Sequence, residues 1–148
     1  MTPGARYAAA IDILDIWLTG EPVEKTLSNW ARKNRYAGSK DRAAVRDIVF
    51  DSLRCLLVYT TSLGIVSGRS AALGHVLANN LEPEMIFSGQ GYAPSALSAA
   101  ETSVLKAHDA APISLRETLP DWLRDVFAAD LGVQFETTAQ ALLERAPV

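Results

Sequence analysis

Apolar positions recur three and four residues apart along most of the chain, which is the spacing of an α-helix with one buried face. The first such segment opens with Thr2 and Pro3, an N-cap residue followed by a proline in the first turn, and its apolar stripe reaches Leu18. Gly20 and Pro22 separate it from a second helix. No stretch shows the alternation of a strand. The pattern therefore predicts an all-α bundle of six to eight helices.

The third predicted helix has the strongest apolar face, and we expect it to be central. Ser39 is predicted to cap it, with Asp41 in its first turn near the positive end of the helix dipole. The apolar residues of this face are Val45, Ile48, Val49, Leu53, Leu56 and Leu57. Between residues 60 and 68 the pattern weakens, which indicates a helix end and a turn.

The middle of the chain is predicted to contain a short helix, a long loop and a further helix. The short helix spans Ser70 to Asn80. Two prolines and two glycines in residues 81–94 predict the loop. Ser98 and Glu101 have the spacing of a capping box for a helix that runs through His108.

Two more helices are predicted at the carboxyl end. The segment Leu119–Leu131 carries a proline near its first turn, and Gly132 is the expected residue just beyond its end. Its residues expected to face the core are Leu123, Val126, Phe127 and Leu131. The last helix is predicted from about Phe135 to Arg145.

Composition agrees with a globular domain. The 148 residues are 49% hydrophobic and 21% charged, which is ordinary for a single folded unit. Asp12 and Asp15 interrupt the early apolar stretch, so we expect no signal peptide, and no apolar window is long enough for a membrane helix. A single cysteine, Cys55, excludes an internal disulfide and a cysteine-built zinc site. We therefore expect a cytoplasmic protein without a membrane partner.

Residues for catalysis are sparse. His75 and His108 lie far apart without a metal-ligand spacing, and we interpret them as ordinary surface or boundary histidines. Cys55 lies among leucines, which favours a buried structural thiol. The segment Gly89-Gln90-Gly91 lacks the lysine and third glycine of a phosphate loop, so a plain turn is predicted.

Two carboxylate pairs also lack the partners that chemistry would need. Asp12 with Asp15, and Asp47 with Asp51, are interpreted as solvated charges on helix faces. We therefore predict no catalytic residue, no cofactor site and no metal site in this segment, which by itself is not an enzyme.

One segment stands out by its charge. Residues 32–46 contain six cations against one acid, Asp41, a local charge of +5 in a chain whose net charge is −3. The cations are Arg32, Lys33, Arg35, Lys40, Arg42 and Arg46. Cations at a loop between two helices can contact phosphates, and Tyr36 can stack on an unpaired base. The alternative is a solvated basic turn whose cations form ion pairs within the molecule.

The same segment carries a resemblance to a known family. Residues 27–32 (LSNWAR) and 37–47 (AGSKDRAAVRD) resemble the N-terminal domain of bacterial Sun/RsmB-type rRNA cytosine-C5 methyltransferases, which has the all-helical NusB-like fold. Residues 119–123 (LPDWL) resemble the element leading into the methyltransferase portion, and residues 145–148 resemble the start of the crossover into it. The resemblance covers nearly the whole chain and is poorest in residues 60–94.

The resemblance implies that residues 1–148 form one NusB-like RNA-binding domain. In the full-length family, an S-adenosylmethionine-binding domain with a cysteine nucleophile follows, and we expect it after Val148. Neither its glycine-rich motif nor its cysteine pair occurs in this chain, and Cys55 matches no catalytic position of the family. Catalysis and the cofactor would therefore belong to the downstream domain.

The resemblance also implies partners. Ribosomal RNA and the protein's own methyltransferase domain are expected, with Lys40, Arg42 and Arg46 at the matching positions and Arg32, Lys33 and Arg35 as supporting phosphate contacts. One alternative is a free-standing NusB-like antitermination factor that acts with RNA and a ribosomal protein. The other is a protein-interaction helical bundle whose basic loop pairs with acidic neighbours.

Overall fold

The computed structural model describes residues 1–61, 63–108 and 119–144, and in these ranges the chain is helical without any strand. The helical segments are α1 (Pro3–Leu18), α2 (Val23–Lys33), α3 (Ser39–Arg54), α4 (Leu56–Thr61), α5 (Gly68–Ala78), α6 (Pro83–Ile86), α7 (Ala99–His108), α8 (Asp121–Leu131) and α9 (Phe135–Leu143). All except α6, which has four residues, are longer than one turn. The eight longer helices of the described ranges confirm the predicted all-α bundle of six to eight helices.

The core lies between α1, α3 and α5. The first of these contacts both of the others and also α2 and α6. The largest fully buried side chains of the core come from all three helices and from the residue after α6. They are Ile13, Leu14, Val45, Val49, Leu73, Val76 and Phe87. The predicted central position of α3 is therefore shared with α1 and α5. Leu18, the last residue of the predicted stripe, is 38% exposed at the end of α1.

Local hydrogen bonds define several helix ends. The Thr2 side chain accepts a hydrogen bond from Ala5 N at 3.2 Å, as the N-cap prediction requires. The capping box is also confirmed, because Glu101 N donates to Ser98 Oγ at 3.2 Å and Ser98 N donates to Glu101 Oε2 at 2.8 Å. The prediction for Ser39 is wrong, since Gly38 already has the extended backbone of an N-cap residue and Ser39 is the first helical residue.

Residues 81–94 depart from the predicted loop. Pro83 begins the single turn α6, and Ile86 and Phe87 are buried against the core. The guanidinium of Arg69 lies over the Phe87 ring, 4.8 Å from its centroid. The Gly89-Gln90-Gly91 segment does form a turn, with positive φ at both glycines. Burial of the two apolar side chains explains why this segment lies against the body of the protein.

Two glycines of α5 permit close approach of neighbouring helices. A Cβ at Gly74 would lie 2.3 Å from the Cβ of Tyr59 in α4, and one at Gly68 would lie 2.4 Å from the carbonyl oxygen of Ile11. Gly68 N also donates a hydrogen bond to Asp15 Oδ1 at 2.6 Å. The expectation that Asp15 is a purely solvated charge is therefore wrong, because its carboxylate caps the start of α5.

The carboxyl-terminal helices contribute less to the core than predicted. No residue of α8 is buried, because its main contacts are with α9 and the 3₁₀ turn Gly132–Gln134. Val126, predicted to face the core, is 51% exposed, whereas Leu123, Phe127 and Leu131 are half-buried. The backbone of Gly132 has φ +50°, which agrees with its predicted place after the helix.

In α9, Phe135 and Ala139 are buried. Arg145, where the sequence pattern ended this helix, lies outside the described residues. None of the helices in the described ranges combines the length and the apolar character needed to cross a membrane.

Candidate functional site

The turn between α2 and α3 is held by local hydrogen bonds. Both the backbone N and the side-chain Nδ2 of Asn34 donate to Trp30 O, each at 2.9 Å, and Ala37 N donates to Asn34 O at 3.0 Å. Ala37 is buried, whereas Tyr36 beside it is 73% exposed. The turn therefore presents Tyr36 to solvent from a fixed backbone.

All six predicted cations are exposed, and we call them the basic cluster: Arg32, Lys33, Arg35, Lys40, Arg42 and Arg46. Three of them, Arg35, Arg42 and Arg46, line one cleft of about 690 Å³ between α2 and the start of α3. Glu24 is also part of this lining. The structure thus brings half of the cluster together, and the other three lie on the flanking helix ends.

The cations have few acidic partners. Arg46 Nη2 lies 3.7 Å from Asp47 Oδ1, and both side chains are largely exposed, so this pair contributes little to stability. Arg42 Nε donates to Ala37 O at 2.9 Å, and Arg32 Nη2 donates to Asn29 Oδ1 at 2.9 Å. Within the described ranges, no other cation of the cluster has a carboxylate at ion-pair distance.

Asp41, the one acid of the basic segment, is engaged by cations from outside it. Its Oδ1 lies 2.8 Å from Arg6 Nη2, and its Oδ2 accepts a hydrogen bond from the N-terminal amine of Met1 at 3.1 Å. These hydrogen bonds, first that of the amine and then that of Arg6, hold the pKa of Asp41 below its usual range. Asp41 therefore does not offset the charge of the basic cluster.

A second cleft lies beside the cluster, and we call it the aromatic cleft. It encloses about 560 Å³, and it is lined by Met1, alanines of α1, three aromatic rings and three polar side chains. The residues besides Met1 are Ala5, Ala8, Ala9, Trp30, Tyr36, Tyr92, Thr2, Asp12 and Asn34. The predicted Tyr36 belongs to this cleft and not to the one lined by Arg35, Arg42 and Arg46. Sequence reasoning missed Tyr92 and Asp12 as site residues, since nothing local links them.

A buried polar pair lies deeper, between α1 and α5. Tyr7 Oη and His75 Nδ1 are 2.9 Å apart, and His75 is only 7% exposed. Burial lowers the pKa of His75, with Asp51 opposing the shift, and burial raises the pKa of Tyr7 to about 12. The prediction of a surface or boundary histidine is wrong for His75. The side chain of His108 lies outside the described residues.

Among the described residues, Cys55 and the acidic side chains do not come together as a metal site. The Cys55 thiol is half-buried and donates to Leu143 O at 3.6 Å, and burial is the main cause that raises its pKa. This setting agrees with the predicted structural thiol. In the part of the chain that the structure describes, no three His, Cys, Asp or Glu side chains are grouped closely enough to hold a metal ion.

No family model, no curated protein and no solved structure matches this chain. The charges and geometry of the two clefts are therefore the structural observations that bear on function.

Proposed function

We propose that this chain is an RNA-binding accessory domain that helps a cytosine-C5 methyltransferase engage ribosomal RNA. One observation carries the RNA part of the proposal: five of the six exposed cations around the α2–α3 turn have no acidic partner in the described ranges, and Asp41 is neutralised from outside. The methyltransferase context comes from the resemblance of residues 27–47 and 119–123. Methyl transfer and S-adenosylmethionine binding would belong to a downstream domain.

The arrangement suits a phosphate backbone. Arg35, Arg42 and Arg46 line one cleft, and a guanidinium can donate two parallel hydrogen bonds to a phosphate. Lys40 and Arg42 lie in the first turn of α3, where the helix dipole adds positive potential. The hydrogen bond from Arg42 to Ala37 O holds that side chain along the turn before any ligand is bound.

The proposal is tested by the salt dependence of binding to small-subunit rRNA fragments. Arg35→Ala and Arg46→Ala should each weaken binding several-fold and reduce the slope of log K against log salt by about 0.7–0.9 per lost phosphate contact. Arg42→Ala should weaken binding and reduce the slope in the same way. Because Arg42 also donates a hydrogen bond to Ala37 O in the turn, a thermal melt must show that this variant is folded. Unchanged affinity and slope in all three variants would remove the basic cluster from RNA binding.

Lys25→Ala is the matched control. Lys25 is an exposed cation of α2 that pairs with Glu21 at 2.7 Å and does not line the cleft of Arg35, Arg42 and Arg46. Its loss changes the net charge by the same amount as the test variants. RNA binding should weaken less in Lys25→Ala than in Arg35→Ala, because Lys25 does not line the cleft. Equal weakening in both variants would indicate general electrostatic attraction without a specific cleft.

Exposed apolar side chains favour protein docking as a second candidate function. Trp122 of α8 is 73% exposed, Val133 is fully exposed and Leu142 of α9 is 51% exposed. Exposed apolar side chains that form one patch are typical of a surface that contacts another protein. Absence of RNA affinity at low salt, together with tight binding to a separately produced methyltransferase domain, would support this function instead.

The native coding sequence beyond Val148 separates the two NusB-like alternatives. A strand, glycine loop and helix pattern followed by a paired-cysteine motif supports the methyltransferase domain. A stop codon directly after Val148 supports the free-standing antitermination factor.

A further inference from the structure

Two tyrosines from distant parts of the sequence meet at the aromatic cleft. Tyr36 is 73% exposed and Tyr92 is 87% exposed, and both line the cleft together with the half-buried Trp30. None of these three rings contacts another aromatic ring in the described ranges. The faces of Tyr36 and Tyr92 are therefore available to a planar ligand, whereas Trp30 packs against the core.

Tyr92 is presented by a turn that is fixed to the body of the protein. Gly91 has φ +59°, and Ala93 N donates to Gln90 O at 3.0 Å, which closes the turn around Tyr92. The next residue, Ala93, lies against Gly4 of α1, where an added Cβ would be only 2.7 Å from the Ala93 Cβ. The ring is thus held at the cleft by backbone contacts and not by burial of the ring itself.

The Tyr36 turn is equally well anchored, through the hydrogen bond from Ala37 N to Asn34 O and the burial of Ala37. The cleft is also lined by the small side chains Ala5, Ala8 and Ala9 of α1. A large side chain at these positions would fill the space. Two anchored turns and an alanine surface together leave a preformed slot.

Two of the polar side chains that line the slot, Asp12 and Asn34, offer hydrogen-bond acceptors to a ligand, whereas Thr2 Oγ1 already accepts from Ala5 N. Asp12 is exposed and has no hydrogen-bond or ion-pair partner within the described ranges. Asn34 uses one N–H of its Nδ2 to donate to Trp30 O, so its Oδ1 and the second N–H remain for a ligand. A ligand that fits here needs a flat apolar face and an edge with hydrogen-bond donors.

We infer that the aromatic cleft binds an unpaired guanine base of the RNA, stacked on Tyr36 or Tyr92 with its Watson–Crick edge toward Asp12. Guanine presents two adjacent donors, N1–H and N2–H, to the two oxygens of a carboxylate. Adenine and cytosine place a ring acceptor beside their amino group, and uracil flanks its single donor with two carbonyls. The carboxylate therefore disfavours those three bases.

This inference rests on the proposed function and extends it from phosphate contact to base selection. Tyr36 and Asn34 belong to the same turn that carries Arg35, so a strand with its phosphates at the basic cluster can reach the aromatic cleft with a neighbouring base. Stacking against aromatic side chains is tolerant of base identity. Selectivity would therefore come from Asp12.

The test compares the binding of the full chain to uridine oligonucleotides that carry one central guanosine or one central adenosine, measured by fluorescence anisotropy at fixed salt. Tyr92→Ala should weaken binding of the guanosine oligonucleotide about tenfold, and Tyr36→Ala should act similarly. Asp12→Asn should remove a guanosine preference of about tenfold without weakening binding of the adenosine oligonucleotide. All three side chains are exposed, so unchanged thermal melts are expected.

Matched controls lie elsewhere on the surface. Trp122→Ala removes another aromatic ring of 73% exposure, and Glu84→Gln removes another exposed carboxylate; neither residue lines the aromatic cleft. Both variants should keep the affinity and base preference of the unaltered chain.

The outcomes separate this inference from the proposed function. If binding stays salt-dependent and is weakened by Arg35→Ala, but Tyr92→Ala and Asp12→Asn change neither affinity nor preference, the inference is overturned and the proposed function stands. If no oligonucleotide binds even at low salt, both fail. If choline binds in the cleft and guanosine does not, the rings form a methylammonium site, and the inference is overturned.

Discussion

The α1–α3–α5 core and the α8 helix arise from the same kind of amphipathic pattern and end in different environments. Val45 of α3 and Leu73 of α5 have no exposed surface, whereas no residue of α8 is buried and its Trp122 is 73% exposed. Periodicity specifies that a helix has an apolar face. Burial of that face depends on which elements lie opposite to it, and among the described elements α1, α3 and α5 contact several other helices whereas α8 contacts mainly α9 and the 3₁₀ turn.

Side-chain size explains part of the difference. The inner surface of α5 contains Ala71, Ala72 and Gly74, which lets α1, α3 and α4 approach closely. In contrast, α8 carries Trp122 and Phe127 and contacts mainly α9 and the adjoining 3₁₀ turn. Small residues thus lie where the helices of the core approach closely.

Truncation of a leucine should show the largest contrast between the two regions. Leu73→Ala should lower the free energy of unfolding by about 2–5 kcal/mol, because it leaves a cavity in the centre of the core. Leu142→Ala in α9, where the side chain is 51% exposed, should change it by less than about 1 kcal/mol. Urea denaturation followed by circular dichroism measures both, and equal losses would contradict the comparison.

Enlarging a glycine tests the close contact of α4 with α5. Gly74→Ala should destabilise the protein by about 1–3 kcal/mol, because the new Cβ would lie 2.3 Å from the Tyr59 Cβ. Alanine is otherwise the better helix former by about 1 kcal/mol, so a loss identifies the steric cause. Thermal melting provides the measurement.

Gly38→Ala is the control for this substitution. An added Cβ there would have Asp41 Oδ2 at 3.9 Å as its nearest neighbour, and φ is −67°, so only a small change from the altered N-cap is expected. A stabilised Gly74→Ala protein would show that the helices separate at little cost.

The smallest effect is expected for an ion pair that ties α7 to the core. Arg69 Nε and Glu101 Oε1 are 2.7 Å apart, and the hydrogen bond from Arg69 is the main cause that lowers the pKa of Glu101 to about 2. The pKa of Glu101 is therefore lower in the folded protein than its value of 4.5 in the unfolded chain. The resulting stabilisation is fully present above pH 4.5 and is lost as the pH falls toward 2. Glu101→Gln should therefore cost about 1 kcal/mol near neutral pH and progressively less below pH 4.5.

The measurement is urea denaturation of both proteins at several pH values. Asp121→Asn is the control, because Asp121 pairs with Arg124 within α8 and its side chain is 94% exposed. It should have a smaller effect at every pH. A difference between Glu101→Gln and the unaltered chain that stays constant from neutral pH to about pH 2 would contradict the assignment.

The candidate site was predictable where its residues are neighbours in the chain. The excess of cations in residues 32–46 is visible without a structure, and all six are exposed as phosphate contacts require. The aromatic cleft was not predictable, because Asp12, Tyr36 and Tyr92 come from three separate segments. No spacing rule relates residues that far apart.

By itself, the sequence determined the helical class, most of the helix positions and the capping box of Ser98 and Glu101, because helical periodicity and cap hydrogen bonds act within a few residues. Tertiary structure decided that His75 is buried beside Tyr7, that Asp15 caps a distant helix and that no residue of α8 is fully buried. These features depend on which surfaces meet when the helices pack, and that is a property of the whole chain.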